Sequence, residues 1–192
     1  MSAAPSFSRI AVIGAGTMGS GIAAQIANAG LPVLLLDLPA RAGQEHNPAE
    51  QAIQRLLKSE PPQFMHPSIA DKITTGDMEA DFDQLAGCDL IIEAVIEQLP
   101  VKQALYKRLY QTISPDCVVT SNTSTIPISL LTADMPSDFC ARFAITHYFN
   151  PVRYMRLLEL VSGAETRADI LDRLALFNDQ VLGKGVVRCS DT

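Results

Sequence analysis

Polar and apolar positions along this chain fall into short blocks whose period keeps changing. "RIAVIG" (9–14) is an apolar run ending in glycine, the pattern of a buried strand. Met18 to Ala29 has helical composition, and Gly30 followed by Pro32 supplies a stop. "VLLLD" (33–37) reads as a second strand, apolar on both faces as parallel strands tend to be. After a polar loop, "NPAEQAIQRLLKS" predicts a helix with Asn47 as N-cap, Pro48 at its first position and Glu50 in its first turn. The prolines of "SEPPQFMHPS" (59–68) exclude regular structure there.

Further strands are predicted at "DKITTGD" (71–77), "CDLIIEAV" (88–95), "CVVTSN" (117–122), "RFAITH" (142–147), "LLELV" (157–161) and "GVVRC" (185–189). Between them, "PVKQALYKRLYQTI" (100–113) predicts an amphipathic helix with Val101, Ala104, Leu105, Leu109 and Ile113 on one face. "PISLL" (127–131) predicts a short helix, and residues 166–182 a longer one capped by Thr166 and stopped at Gly183. Strands alternating with helices imply an α/β fold: a doubly wound, mostly parallel sheet covered on both faces, with extra strands at the C-terminal end. The end "CSDT", directly after a strand, suggests a domain cut from a longer protein.

Ile10 to Leu36 carries no charge, a length that would also suit a membrane span. Gly14, Gly16, Gly19, Gly21, Gly30 and Pro32 interrupt it, with Gln25 and Asn28 between, so strand, turn, helix and strand explain it better and no membrane span is expected. With 192 residues, 47% apolar and 19% charged, the chain can build one globular core. A net charge of −6 argues against a nucleic-acid binder, while a phosphate-bearing small ligand stays open because helix N-termini can hold it. Cys88, Cys117, Cys140 and Cys189 form no C-x-x-C pair, so neither a metal nor a redox site is expected, and reduced thiols in a cytoplasmic protein are. "MSAAPSFSRI" lacks a basic start followed by an apolar stretch, so no signal peptide is expected.

The chemistry concentrates at strand ends. "GAGTMG" (14–19) is a G-x-G-x-x-G between a predicted strand and helix. There Gly14 makes the tight turn, Gly16 admits a pyrophosphate, and Gly19 lets the helix pack on the strand. Asp37, closing the second strand, is placed to accept hydrogen bonds from an adenosine ribose and to repel a 2′-phosphate, which favours NAD over NADP; nearby Arg41 makes that choice imperfect. Glu97 and Lys102 flank the turn after the fourth strand, facing either a ligand or solvent as an ordinary helix start. His147 ends one apolar run and Glu159 sits inside the next, where a carboxylate is costly unless something meets it. Strand alternation puts Leu157, Glu159 and Val161 on one face. A lone strand-end histidine is commonly a satisfied core residue; a carboxylate in the next strand favours a working pair. Ser124 in "SNTST" is either a turn cap or a partner of a reacting oxygen. Asn150 and Pro151 turn the chain after the histidine strand, Arg153 and Arg156 are solvated or meet an acidic ligand, and His46 and His66 lie in loops with no assigned chemistry.

"VIGAGTMGSGIA", "EAVIEQLPVK", "SNTST", "HYFNPV", "LLELV" and "GKGVVRCSDT" together resemble the L-3-hydroxyacyl-CoA dehydrogenases, in order and spacing, over residues 9–192. The Pro-rich insert "KSEPPQFMHPS" and "SNTSTIPISLL" are most similar to a bacterial branch in which a dehydrogenase module leads a longer polypeptide that also carries an enoyl-CoA hydratase module. The resemblance implies a Rossmann fold over residues 1–192 and NAD-dependent oxidation of a 3-hydroxyacyl-CoA to the 3-ketoacyl-CoA in β-oxidation. It implies His147 as the catalytic base, Glu159 as its partner, and Ser124 near the reacting oxygen and the nicotinamide. Gly14, Gly16, Thr17, Met18, Gly19, Asp37, Glu97, Lys102 and Ser124 would line the cofactor site. The partner would be an acyl-CoA, with Lys58 and Lys72 as candidate holders of its phosphates, and the full-length protein a homodimer or part of a multifunctional complex. The family's further catalytic asparagine and its helical substrate and dimerisation domain lie beyond "DT" and are absent from this chain. Two alternatives stay open: a dinucleotide-binding module without chemistry of its own, and a dehydrogenase of another hydroxy acid on the same fold.

Overall fold

The computed structural model describes residues 7–191; residues 1–6, the start of the segment read for a signal peptide, and Thr192 lie outside them. Strands β1 (Ile10–Ile13), β2 (Val33–Asp37), β3 (Ile73–Asp77), β4 (Leu90–Glu93), β5 (Val118–Ser121), β6 (Phe143–Tyr148), β7 (Leu157–Ser162) and β8 (Gly185–Ser190) form one sheet in the order β3-β2-β1-β4-β5-β6-β7-β8. Neighbours from β3 through to β6 run parallel, β7 is antiparallel to β6, and β8 is parallel to β7. This is the doubly wound sheet with extra strands that the block pattern implies. Strand order reverses between β1 and β4, so the crevice for a ligand opens above their carboxyl ends.

Side chains alternate across each strand, so every inner strand feeds two cores. Val12, Leu35, Leu90 and Leu158 pack with α1 (Thr17–Asn28), α2 (Pro48–Leu56) and, through Ile170 and Leu174, a later helix. Ile13, Ile91, Val119 and Phe143 pack on the other face with Leu105, Tyr106 and Leu109 of α3 (Leu99–Thr112). Two short helices, α4 (Ile128–Leu131) and α5 (Ser137–Cys140), close that side. The capping box at Asn47 is complete: its side chain accepts from Glu50 N at 2.9 Å, and Glu50 Oε2 accepts from Asn47 N at 3.0 Å.

Several expectations need correction. The buried face of α3 is Lys102, Leu105, Tyr106 and Leu109; Val101 is 41% exposed and Ala104 is exposed too. The cause is the Glu93 carboxylate beneath the helix, which draws Lys102 and Tyr106 inward. The strand expected over 71–77 starts only at Ile73, because Pro67–Lys72 form a 3-10 helix. The last helix, α6, spans Ala168–Leu176 and continues as a π-helical turn over Phe177–Val181. Thr166 does not cap it: its hydroxyl donates to Phe143 O at 2.8 Å and accepts from Gly163 N at 2.9 Å, fastening the β7–α6 loop to β6.

Arg153 is neither solvated nor turned to the crevice. Its guanidinium donates to Pro62 O at 2.6 Å and Phe64 O at 2.9 Å, which ties the proline-rich segment to the loop after β6, while Arg156 is exposed. Lys184, 3% exposed, holds the same loop from below by donating to the carbonyls of Val152 and Met155. Burial lowers its pKa to about 8. Cys88, Cys117 and Cys140 are buried, Cys189 is half-buried, and all are free thiols. Burial pushes Cys88 up to about 11 and Cys117 to about 12, which keeps both unreactive. No described helix is long and apolar enough to cross a membrane, and no described group of three or more His, Cys, Asp or Glu is placed to hold a metal ion.

Candidate active site

The glycine loop leaves β1 with Gly14 at φ +101°, a conformation that L side chains rarely adopt. A Cβ there would also come within 2.5 Å of Ala94 O, and one on Gly19 would overlap the carbonyl oxygen of Gly14. These two glycines let β1, β4 and α1 close on one another. Gly16 differs: a Cβ there would meet nothing within 4 Å. Gly16 is the N-cap of α1 with no side-chain cap, so the open space lies where the amides of the first turn face out. A pyrophosphate fits that space, and a larger residue would fill it. Gly16 and Thr17 are exposed and Met18 half-buried, so the loop presents its middle to the crevice.

Asp37 lies beside this loop. Its Oδ2 accepts from Ala15 N and its Oδ1 from Leu38 N at 2.6 Å. The half-buried carboxylate is therefore fixed at the rim where an adenosine ribose would lie. Arg41 is exposed.

At the other end of the crevice, His147 and Glu159 face each other as directly opposed residues of the antiparallel β6–β7 pair. His147 Nδ1 lies 2.9 Å from Glu159 Oε2, with side-chain exposures of 20% and 39%. With Nδ1–H donating to the carboxylate, the ring's Nε2 is the nitrogen that this pair leaves unengaged. The Phe149 ring, with its centroid 4.4 Å from that of the imidazole, braces the histidine. Immediately after it, Tyr148 N donates to Asn122 Oδ1 at 2.9 Å and Tyr148 OH to Asn178 Oδ1 at 2.5 Å. Asn178 belongs to the π-helical turn, so that turn helps set where β6 ends.

Ser124 is exposed and lines two adjoining hollows with His147. One, of about 150 Å³, adds Glu159, Ile145 and Val161. The other, of about 360 Å³, adds Met18, Glu97, Lys102, Asn122 and Phe149. A larger cavity of about 720 Å³, lined by Thr132, Met135, Cys140 and Glu165 among others, includes neither His147 nor the glycine loop. The structure thus brings Met18, Glu97, Lys102, Ser124 and His147 to one cleft. Lys58 and Lys72 are exposed and line none of these spaces, while His46 pairs with Glu50 of α2 and His66 with Ser68 at the start of the 3-10 helix.

Lys102 is not a solvated helix start. It is 1% exposed and donates to Glu93 Oε1 at 2.6 Å, with Glu97 Oε2 at 3.2 Å. Glu97 also accepts from Thr123 Oγ1, and from Thr125 Oγ1 at 3.2 Å. Burial alone would raise the Glu97 carboxyl; the Thr123 bond, the Lys102 charge and the Thr125 bond outweigh it and hold the group below its ordinary 4.5. The sequence pattern alone does not mark Glu93, Tyr106 and Ser121 as a cluster. The available signal is a glutamate ending an apolar strand, followed by a Lys and a Tyr four residues apart on the next helix, hence on one face.

A sheet reversing at β1/β4, a glycine loop opening α1 and an acidic residue ending β2 define a dinucleotide-binding α/β domain. Residues 9–192 match the family described as 3-hydroxyacyl-CoA dehydrogenase, NAD binding domain, and the chain belongs to that family. NAD is the cofactor of this family, and the open space at Gly16 fits it. The chain is 40% identical over 185 residues to a Rickettsia felis protein named as a fatty acid oxidation complex trifunctional enzyme, covering 96% of this chain and 26% of that protein. It is 39% identical over 184 residues to a Deinococcus radiodurans protein named as a 3-hydroxyacyl-CoA dehydrogenase, covering 95% and 53%. The crystal structure of 3-hydroxybutyryl-CoA dehydrogenase from Escherichia coli K12 superposes with a TM-score of 0.84 at 34% identity, covering 98% of this chain and 39% of that one. The chain thus spans between about a quarter and a half of the curated relatives' length.

Proposed function

We propose that this chain is the cofactor-binding portion of an NAD-dependent dehydrogenase that oxidises a (S)-3-hydroxyacyl-CoA to the 3-ketoacyl-CoA in fatty acid β-oxidation. One observation carries the reading: a histidine–carboxylate pair, 2.9 Å apart, at the end of the crevice opposite the glycine loop. A secondary alcohol must lose a proton from oxygen and a hydride from carbon. His147 takes the proton through Nε2, and in the reverse direction returns it. Glu159 keeps the ring in the required tautomer and stabilises the imidazolium while it exists. Ser124, at the mouth of the same cleft, hydrogen-bonds the substrate oxygen. Gly16, Thr17 and Met18 hold the pyrophosphate side of the cofactor, Asp37 its ribose, and Glu97 and Lys102 shape the cleft floor. Bound NAD supplies the hydride acceptor.

The relatives' names support an acyl-CoA over a free hydroxy acid, and that of the Rickettsia felis protein points to fatty acid oxidation within a multifunctional polypeptide. The acyl chain and the remaining coenzyme A contacts belong to a further helical domain, through which the protein dimerises or joins its complex. The test is a steady-state comparison on the full protein, following NADH at fixed NAD. A 3-hydroxybutyryl-CoA substrate is expected to turn over with kcat/KM at least about a hundredfold above free 3-hydroxybutyrate. Equal rates would remove the acyl-CoA assignment, and no NADH from either would remove the dehydrogenase.

A further inference from the structure

Glu93 is the last residue of β4 and completely buried, at the floor of the crevice. Strand alternation turns it, like Ile91, toward α3. There it receives a full set of donors. Oε1 accepts from Lys102 Nζ at 2.6 Å and Val95 N at 2.8 Å; Oε2 accepts from Tyr106 OH and Ser121 Oγ, both at 2.6 Å. A carboxylate has about four acceptor sites, and these donors fill them. Lys102 and Tyr106 are themselves 1% and 0% exposed, so the charges are paired out of water.

Two routes lead from Glu93 to Ser124. Through Lys102 it reaches Glu97, whose Oε1 accepts from Thr123 and Thr125, the residues on either side of Ser124. Through Ser121, whose Oγ accepts from Thr123 N at 3.2 Å, it reaches the same loop from beneath. The Glu97, Lys102 and Ser124 side of the cleft is therefore anchored to one carboxylate that is fully buried beneath the cleft lining.

We infer that Glu93 is a positioning residue for the nicotinamide half of the cofactor site. It fixes Lys102 and Ser121, and through them Glu97 and the 123–125 loop, while on the adenosine half Asp37 is held by Ala15 N and Leu38 N rather than by this cluster. The inference rests on the proposed use of this cleft. A merely structural carboxylate would weaken both halves together; a positioning one weakens a single half. Gln at 93 keeps the shape but removes the charge and turns one acceptor into a donor, which leaves Lys102 drawn to Glu97 alone and one of the buried donors unmet.

The experiment is calorimetric titration of wild type and Glu93→Gln with NADH and, separately, with ADP-ribose, which lacks the nicotinamide. The Kd for NADH is expected to rise at least about tenfold in Glu93→Gln while that for ADP-ribose stays within about threefold. If Glu93→Gln does not fold, Tyr106→Phe with Ser121→Ala removes two donors and keeps the charge pair, with a smaller loss expected, again confined to NADH. Unchanged NADH affinity overturns the inference, and so does parallel loss of NADH and ADP-ribose. Wild type that fails to bind NADH overturns the cofactor-site reading as well, so the two failures are distinguishable. In the full protein, wild type inactive on 3-hydroxyacyl-CoA but retaining the NADH-selective effect would remove the proposed reaction and keep the role of Glu93.

Discussion

Gly16 and Gly19 lie three residues apart in one motif but meet different neighbours. A Cβ on Gly19 would overlap the Gly14 carbonyl, so Gly19→Ala is expected to cost about 2–4 kcal/mol, read as a shifted urea midpoint. Gly16 has open space and ordinary φ/ψ, so Gly16→Ala should leave stability within about 0.5 kcal/mol and weaken NADH binding by about tenfold or more. A Gly16→Ala variant binding NADH normally would separate the loop from the phosphates. Glu97 gives a pH test. Its carboxyl is held below 4.5 in the fold, so its stabilising contribution is fully present above that value and fades as pH falls through the lower folded one. Wild type is expected to exceed Glu97→Gln in stability at pH 7, with the gap closing as pH falls below 4.5 in matched urea titrations; a pH-independent gap would contradict the assigned partners. The residues legible in the sequence, such as Gly14, Asp37 and His147, carry their signal in local spacing. Glu93 does not: its donors come from positions 95, 102, 106 and 121, and only the fold brings them together.

Among elements, those with local signals formed where their sequence placed them. Asn47, Pro48 and Glu50 start α2, and Asn47→Ala is expected to cost about 1 kcal/mol, or a few degrees in Tm by calorimetry. An unchanged Tm would mean the capping box is idle. The elements misjudged from sequence are those where tertiary partners override local pattern. Apolar spacing assigned α3 a face through Val101 and Ala104, but Glu93 beneath the helix draws in Lys102 and Tyr106 instead. Thr166 has the composition of a cap, yet its hydroxyl is taken by the Phe143 carbonyl. The π turn at Phe177–Val181 has no local signature, and Tyr148 depends on it through Asn178.

For the molecule as a whole, alternating strands and helices made the doubly wound sheet legible, and the strand order follows from it at β1/β4. The antiparallel return of β7 is what sets His147 opposite Glu159. In the proposed function Gly16, Thr17 and Asp37 bind the cofactor, His147 and Glu159 handle the proton, and Ser124 stands between the two sets. The most direct test of that division is His147→Gln in the full protein, assayed for NAD reduction with 3-hydroxybutyryl-CoA and titrated with NADH in parallel. Turnover is expected to fall by about 10²–10⁴-fold while the Kd for NADH stays within about threefold of wild type. Wild-type turnover in His147→Gln would contradict the account.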